Sequence, residues 1–501
     1  MKNKYLITSL LALAVVFIIT QCTQVRSVSQ KESRLPMIQP DLEMEAEPGY
    51  APFPKGFDYP QNYYALNHWI QSGNDSAIRR HAFGLFTGLN QPLPDGRKIW
   101  QTWYPVTEVI SPDNKGVEAN FVPIKKARQS LATRGLPDEE DQRASSPPWP
   151  LPLPRAFCKN LGSGKRFFFT SFIIIPGTFY NQAAKDWIQE KNLDKASALD
   201  NFQKAGKKNI PEAPSNSIIM KHVFWPVSGR SGDFTPLPVF DGDEGMDSLA
   251  YNGYATWKRA VAISAAQNPP VRVDSLSYLY GYQNREAYQH TFYNVETVGL
   301  DRFLTIKLTG EYIATLNEVD KCVLNNSFNH VFRRDYEEGD YIVSIGTHIM
   351  TKEIKDWCMQ TAWWHDKPNQ GPFAAHRPKD FPPGPWENYL MNTSYVMAIP
   401  NNAQGKPKVA YNPYIELTLP EQNRIHSNCQ NCHMRAAWPM PDGSFKVVDL
   451  VGTKDPVFPK EATPFYHTMR EGWIGEDDPI FNGLMRTDMN WGIPDRAVGA
   501  K

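Results

Sequence analysis

Apolar spacing divides the chain into recognisable elements only after about residue 60. Over 75–88, Ile78, Ala82, Leu85, Phe86 and Leu89 fall on one face at helical spacing. Asp75 is available to cap this helix and Gly88 to stop it. His81 lies one residue off that face and reads as structural rather than as a ligand. Segments 181–192 and onward to 206 are rich in Ala, Lys, Gln and Glu, which favour helix. Runs of β-branched and aromatic residues at 166–175, 217–227, 302–308 and 341–349 predict strands. Strands and helices do not alternate regularly. The expected fold class is therefore α+β, a large β-rich N-terminal region with a substantial antiparallel sheet. No internal repeat is evident.

The two ends carry different patterns. Lys2 and Lys4 precede an apolar run over 5–20, which has the form of a secretory leader and is short for a membrane span. An uncleaved anchor is the alternative. Cys22 follows the run in a context that resembles the lipobox of bacterial lipoproteins, although Gln21 departs from the usual small residue there. Cys22 is thus a candidate lipid-attachment site. Residues 23–60 are polar with several prolines and read as a tether. At the other end, Thr463-Pro464 and Asp478-Pro479 have the form of a cap followed by a first-turn proline. Ile480, Phe481, Leu484 and Met485 then make an apolar helical stripe. The expected organisation is 1–22 leader, 23–60 tether, 61–410 α+β region of unknown role, and 411–501 small helical domain.

Composition narrows the function classes. Lys and Arg together number 53, as do Asp and Glu, so no net charge calls for nucleic acid or a strongly acidic partner. The 42 prolines accompany 14 Trp and 22 Tyr, which suggests long ordered loops. Residues 145–154 are the densest proline run and read as a connection.

The candidate chemistry lies in Cys429-Gln430-Asn431-Cys432-His433. Cysteines three apart on a helix share one side, where each sulfur can form a thioether to a haem vinyl group. The next residue, His433, can give an imidazole nitrogen to the iron as proximal ligand. A structural zinc site would need a second ligand pair, and no second Cys-x-x-Cys exists. A thioredoxin-type site lacks the trailing histidine. The expected cofactor is one covalent haem c. Met485 and Met489 are candidate distal ligands, with His467, Met469 and Met440 behind them, and an open iron is a further possibility. Helical Met485 has a competing role as core filler.

Other clusters read more plainly. Cys158, Cys322 and Cys358 allow at most one disulfide among themselves. Asp241, Asp243, Glu244 and Asp247 lack the distal Glu of an EF-hand and read as a solvated acidic turn. Trp357, Trp363, Trp364 and His365 read as buried packing, with a docking surface as the alternative. No nucleophile elbow, P-loop or dinucleotide fingerprint occurs.

The stretch 427–437 around the haem motif resembles bacterial monohaem cytochrome c family proteins. Gly346-Thr347-His348-Ile349-Met350-Thr351-Lys352-Glu353-Ile354, the 357–364 segment and Tyr411-Asn412-Pro413-Tyr414 are similar to stretches of a bacterial group that joins a long N-terminal region to one C-terminal haem motif. The resemblance implies haem binding and electron transfer through Cys429, Cys432 and His433, and a cytochrome c-like haem domain at the C-terminus. The expected protein is an exported, periplasmic or membrane-anchored bacterial lipoprotein. It cycles Fe(III)/Fe(II) between redox partners in the cell envelope, with the membrane reached through the lipid anchor. The alternatives are an oxidoreductase, peroxidase-like or substrate-oxidising, with its small-molecule site in the large region, and an envelope assembly component.

Overall fold

The computed structural model describes residues 59–93, 96–110, 175–241, 257–283, 286–316, 318–378, 383–395, 410–415, 428–439 and 477–497. In chain order these form α1 (Tyr63–Gln71), α2 (Asp75–Leu89), β1 (Tyr104–Pro105), α3 (Val106–Val109) and β2 (Ile175–Tyr180). Then come α4 (Gln182–Glu190), α5 (Ala196–Lys204), β3 (Ile218–Val227), β4 (Thr235–Val239), β5 (Arg259–Ser264), β6 (Arg272–Gln283) and β7 (Glu286–Gly299). They are followed by β8 (Thr305–Lys307), α6 (Gly310–Ile313), α7 (Glu318–Phe332), β9 (Tyr341–Thr351), β10 (Cys358–Trp364) and β11 (Tyr389–Ser394). The last are α8 (Cys429–His433), β12 (Ala437–Trp438), β13 (Met485–Arg486) and α9 (Gly492–Arg496). The protein is mixed α+β and β-rich.

The main sheet has seven strands, ordered β1-β2-β3-β9-β10-β11, with β8 also paired to β9. Every pairing in it is antiparallel. Strands β10 and β11 are buried at every position, as expected for a sheet covered on both faces. The cover is two separate apolar cores. Successive residues enter opposite ones: Ile218 and Met220 face the first core while Ile219 faces the second. Phe179 and Tyr180, Ile349 and Met350, and Cys358 and Met359 divide in the same way, with the first of each pair in the first core. This is the two-residue period of a strand read out as burial.

Helices α1 and α2 cover the first core, and α4 and α5 the second. The second core also takes Met434, Ala437, Trp438, Phe481, Met485, Met489 and Ile493 from the C-terminal segments. Those segments are bound by β12, whose Ala437 and Trp438 pair with Arg486 and Met485 of β13.

Gly346 and Asn412 join two distant stretches. A Cβ at Gly346 would stand 2.9 Å from the Asn412 amide and 2.9 Å from Val223 Cγ2. Without one, Asn412 lies against β9. Its Nδ2 donates to Thr361 Oγ1 (2.9 Å) and Ala362 O (3.0 Å), and its Oδ1 accepts from Tyr414 N (3.0 Å).

Most expected elements appear, with corrections. Asn74, not Asp75, caps α2, since its side chain accepts from Ala77 N. Of the strand expected over 166–175, only Ile175 lies within the described residues. The four-stranded sheet β4-β5-β7-β6 was not foreseen. Its β4 reads Thr-Pro-Leu-Pro-Val, and prolines argue against an interior strand, but β4 is the sheet's edge, where missing N–H groups cost no ladder bonds. Helix α7 was also missed. The stripe Ile480, Phe481, Leu484, Met485 is not one helix. Pro479–Phe481 is a 3-10 turn, Gly483 reverses at φ 77°, and Met485 enters β13. The leader, Cys22, the tether up to residue 58, the proline run and Thr463-Pro464 lie outside the described residues. No helix among the described residues is long and apolar enough to cross a membrane.

Two predictions follow from the sheet. Gly346→Ala should destabilise the fold by about 1–3 kcal/mol through overpacking, measured by urea unfolding; an unchanged midpoint would refute the close approach. The second concerns His222, fully buried on β3 against the rings of Trp100 and Phe224, with Nδ1 2.9 Å from Thr347 Oγ1. Burial pulls its imidazole down to about 3. The unfolded chain takes up this proton near the ordinary value of about 6.5, so stability falls as pH drops below that value, by up to about 1.4 kcal/mol per pH unit. His222→Phe should flatten the acid limb of a stability–pH curve relative to wild type, and parallel limbs would contradict the assignment.

Candidate haem-attachment site

Helix α8 has five residues, Cys429–His433, and packs against β10. Gln430, inside the motif, is fully buried. Its Nε2 donates to Asp356 O (2.9 Å), Trp357 O (2.8 Å) and Tyr395 O (2.6 Å). Two amide protons are thus shared among three carbonyls. Ser394 Oγ donates to Gln430 Oε1 at 3.3 Å. One side chain therefore pins the motif to the start of β10 and the end of β11.

Cys429 is half-buried, is not in a disulfide, and places Sγ 3.8 Å from Ala410 O. His433 is half-buried, and its Nδ1 lies 2.8 Å from Met489 O. A carbonyl can only accept, so Nδ1 carries a proton, and in the neutral imidazole the lone pair is then on Nε2. A ligating histidine is ordinarily oriented in this way, its second nitrogen donating to a backbone carbonyl. The residues present therefore fit a covalent haem c. Cys429 and Cys432 share one helical turn, and His433 has the tautomer that ligates through Nε2.

The carbonyl that receives His433 belongs to a strained turn. Asp488 (φ 47°) and Met489 (φ 61°) are both left-handed, and Asn490 N closes the turn on Thr487 O at 2.9 Å. Each such non-glycine residue costs about 1–2 kcal/mol. The turn is held from several sides. Thr487 N donates to Ala436 O (2.9 Å), and Asp488 Oδ2 accepts from Ala213 N (3.0 Å). Lys352 Nζ donates to Asp488 Oδ1 (2.6 Å) and to Lys355 O (2.6 Å). Lys352 is buried, and its ammonium lies 5.5 Å from the Trp357 ring centroid. Burial pushes the Asp488 carboxyl above its usual value, while Lys352 pulls it back.

Behind Gln430 lies a buried polar cluster. Tyr395 OH is 2.6 Å from His81 Nδ1, and His81 Nε2 is 3.1 Å from Glu353 Oε1. Thr351 Oγ1 donates to Glu353 Oε2 at 2.5 Å. Burial, with Glu353 nearby, pushes the thiol of Cys358 and the phenol of Tyr395 well up. His81 is thus a buried hydrogen-bonded residue between α2 and the sheet.

The other candidates are placed as follows. Met485 and Met489 are both buried in the second core. Cys322 is disulfide-bonded, and Cys358 is not in a disulfide. Trp357, Trp363 and Trp364 are fully buried, and His365 is buried with Nε2 3.1 Å from Phe240 O. Asp241 pairs with Arg259 (2.7 Å). Cys158, Asp243, Glu244, Asp247, Met440, His467 and Met469 lie outside the described residues. Sequence reasoning missed Gln430, Tyr395, Lys352 and Asp488. Only the turn chemistry of Thr487-Asp488-Met489-Asn490 signalled any of them, because Asp and Asn tolerate left-handed backbone.

Gln430→Ala should destabilise the fold by about 2–3 kcal/mol, since buried carbonyls lose their donor, and should lower the yield of haem-loaded protein; unfolding midpoints and haem stain per unit protein measure the two effects. No family model, no curated protein and no solved structure matches the chain.

Proposed function

We propose that this chain is a haem c-binding electron-transfer protein of the bacterial cell envelope, exported and held at the membrane through lipid on Cys22. The observation that carries the reading is the Cys429–His433 helix together with the His433 Nδ1 bond to Met489 O. Haem c, when bound, supplies one-electron exchange between Fe(III) and Fe(II) without bond-making to substrate. Cys429 and Cys432 would hold it covalently and His433 would ligate it. Gln430 anchors the motif helix, and the second core holds its surroundings rigid. Rigid support lowers the reorganisation that accompanies electron transfer. A cytochrome c-like haem domain over 411–501 belongs to this proposal. Of the described parts of that segment, 428–439 and 477–497 share the second core with α4, α5 and the main sheet, while Tyr411 and Tyr414 lie in the first core.

Expressed with c-haem maturation machinery, the protein should keep its haem stain on a denaturing gel. Cys429→Ser combined with Cys432→Ser should abolish it, and a stain that survives the double substitution would overturn the reading. A low-spin spectrum inert to carbon monoxide supports electron transfer. A high-spin, carbon monoxide-binding spectrum would favour peroxidase-like chemistry instead.

A further inference from the structure

We propose that Lys352 and Asp488 are positioning residues for the axial histidine, and that through them the large region sets the redox balance of the haem. The inference rests on the haem reading above. Lys352 directly follows β9, in the main sheet, and is 136 residues from Asp488. The ion pair, with Ala213 N on the other carboxylate oxygen, fixes Asp488 in its left-handed conformation. Met489 follows in the same conformation, which turns its carbonyl onto His433 Nδ1. A firm bond there gives the imidazole more anionic character and makes Nε2 a stronger donor. A stronger donor favours Fe(III). Loosening the turn therefore tips the balance towards Fe(II).

The test uses the full, haem-loaded chain. Lys352→Met should shift the Fe(II):Fe(III) ratio at fixed potential about tenfold towards Fe(II), equivalent to a rise of about 59 mV for a one-electron couple. Lys352→Arg should restore most of the wild-type value. An unchanged potential in Lys352→Met, with covalent haem present, overturns the proposal. If Lys352→Met does not fold, nitrogen-15 NMR of His433 in the wild-type haem-free chain decides. A proton on Nδ1 with a bare Nε2 is expected, and the opposite tautomer refutes the positioning. If wild type retains no haem on a denaturing gel, the functional reading has failed separately, and the NMR measurement still tests the turn.

Discussion

Strands β2, β3, β9 and β10 pair side by side, and alternate residues along them enter two different cores. The rest of the molecule depends on that division. A shift of one residue in the β3–β9 register would exchange Ile218, Met220 and Ile349 with Ile219 and Met350, moving each to the wrong core. Both sets are apolar, so burial alone would not punish the slip heavily. Discrimination comes from the groups that fit only one way. Gly346 leaves room for Asn412, and His222 meets Ser344 and Thr347 across the β3–β9 pair.

The second core is where the main sheet, α4 and α5 meet the segments around the Cys429–His433 helix. Tyr180, Ile219, Met350 and Met359 form its floor, and α4 and α5 its side. Met434, Trp438, Met485 and Met489 close it. The polar side of the same contact is dense. Gln430 ties the motif to three carbonyls, and Lys352 ties the turn at Asp488. Buried polar groups of this kind are expensive unless satisfied, so each one restricts the arrangement more sharply than apolar packing does. Hydrogen bonds from the ends of β10 and β11 thus hold a five-residue helix that could not keep its own geometry alone, and the Lys352 ion pair holds the neighbouring turn.

Several features were legible in the chain because they are local. The motif Cys429-Gln430-Asn431-Cys432-His433 depends on neighbours within one helical turn, and the structure places it on a single short helix. Strands β3 and β9 were legible from β-branched and aromatic runs, and α2 from one apolar face. Where two local signals competed, tertiary pairing won. Met485 has the spacing of a helix face yet lies in β13, because Trp438 offers it a strand partner. The prolines of β4 argued against a strand until the sheet order made it an edge.

By itself the sequence determined the mixed α+β class and strands β3, β8 and β9 of the main sheet, since these follow from residue type and short-range period. Only the tertiary structure decided which nitrogen of His433 carries the proton, because the carbonyl that selects it lies 56 residues away. It likewise decided that Lys352 and Asp488 meet, that Gln430 is an anchor rather than a spacer, and that His81 faces Tyr395 and Glu353. Those contacts join residues from different strands, helices and turns. No periodicity encodes them, because a buried hydrogen bond is specified by where two chain segments come to rest and not by either segment's own pattern.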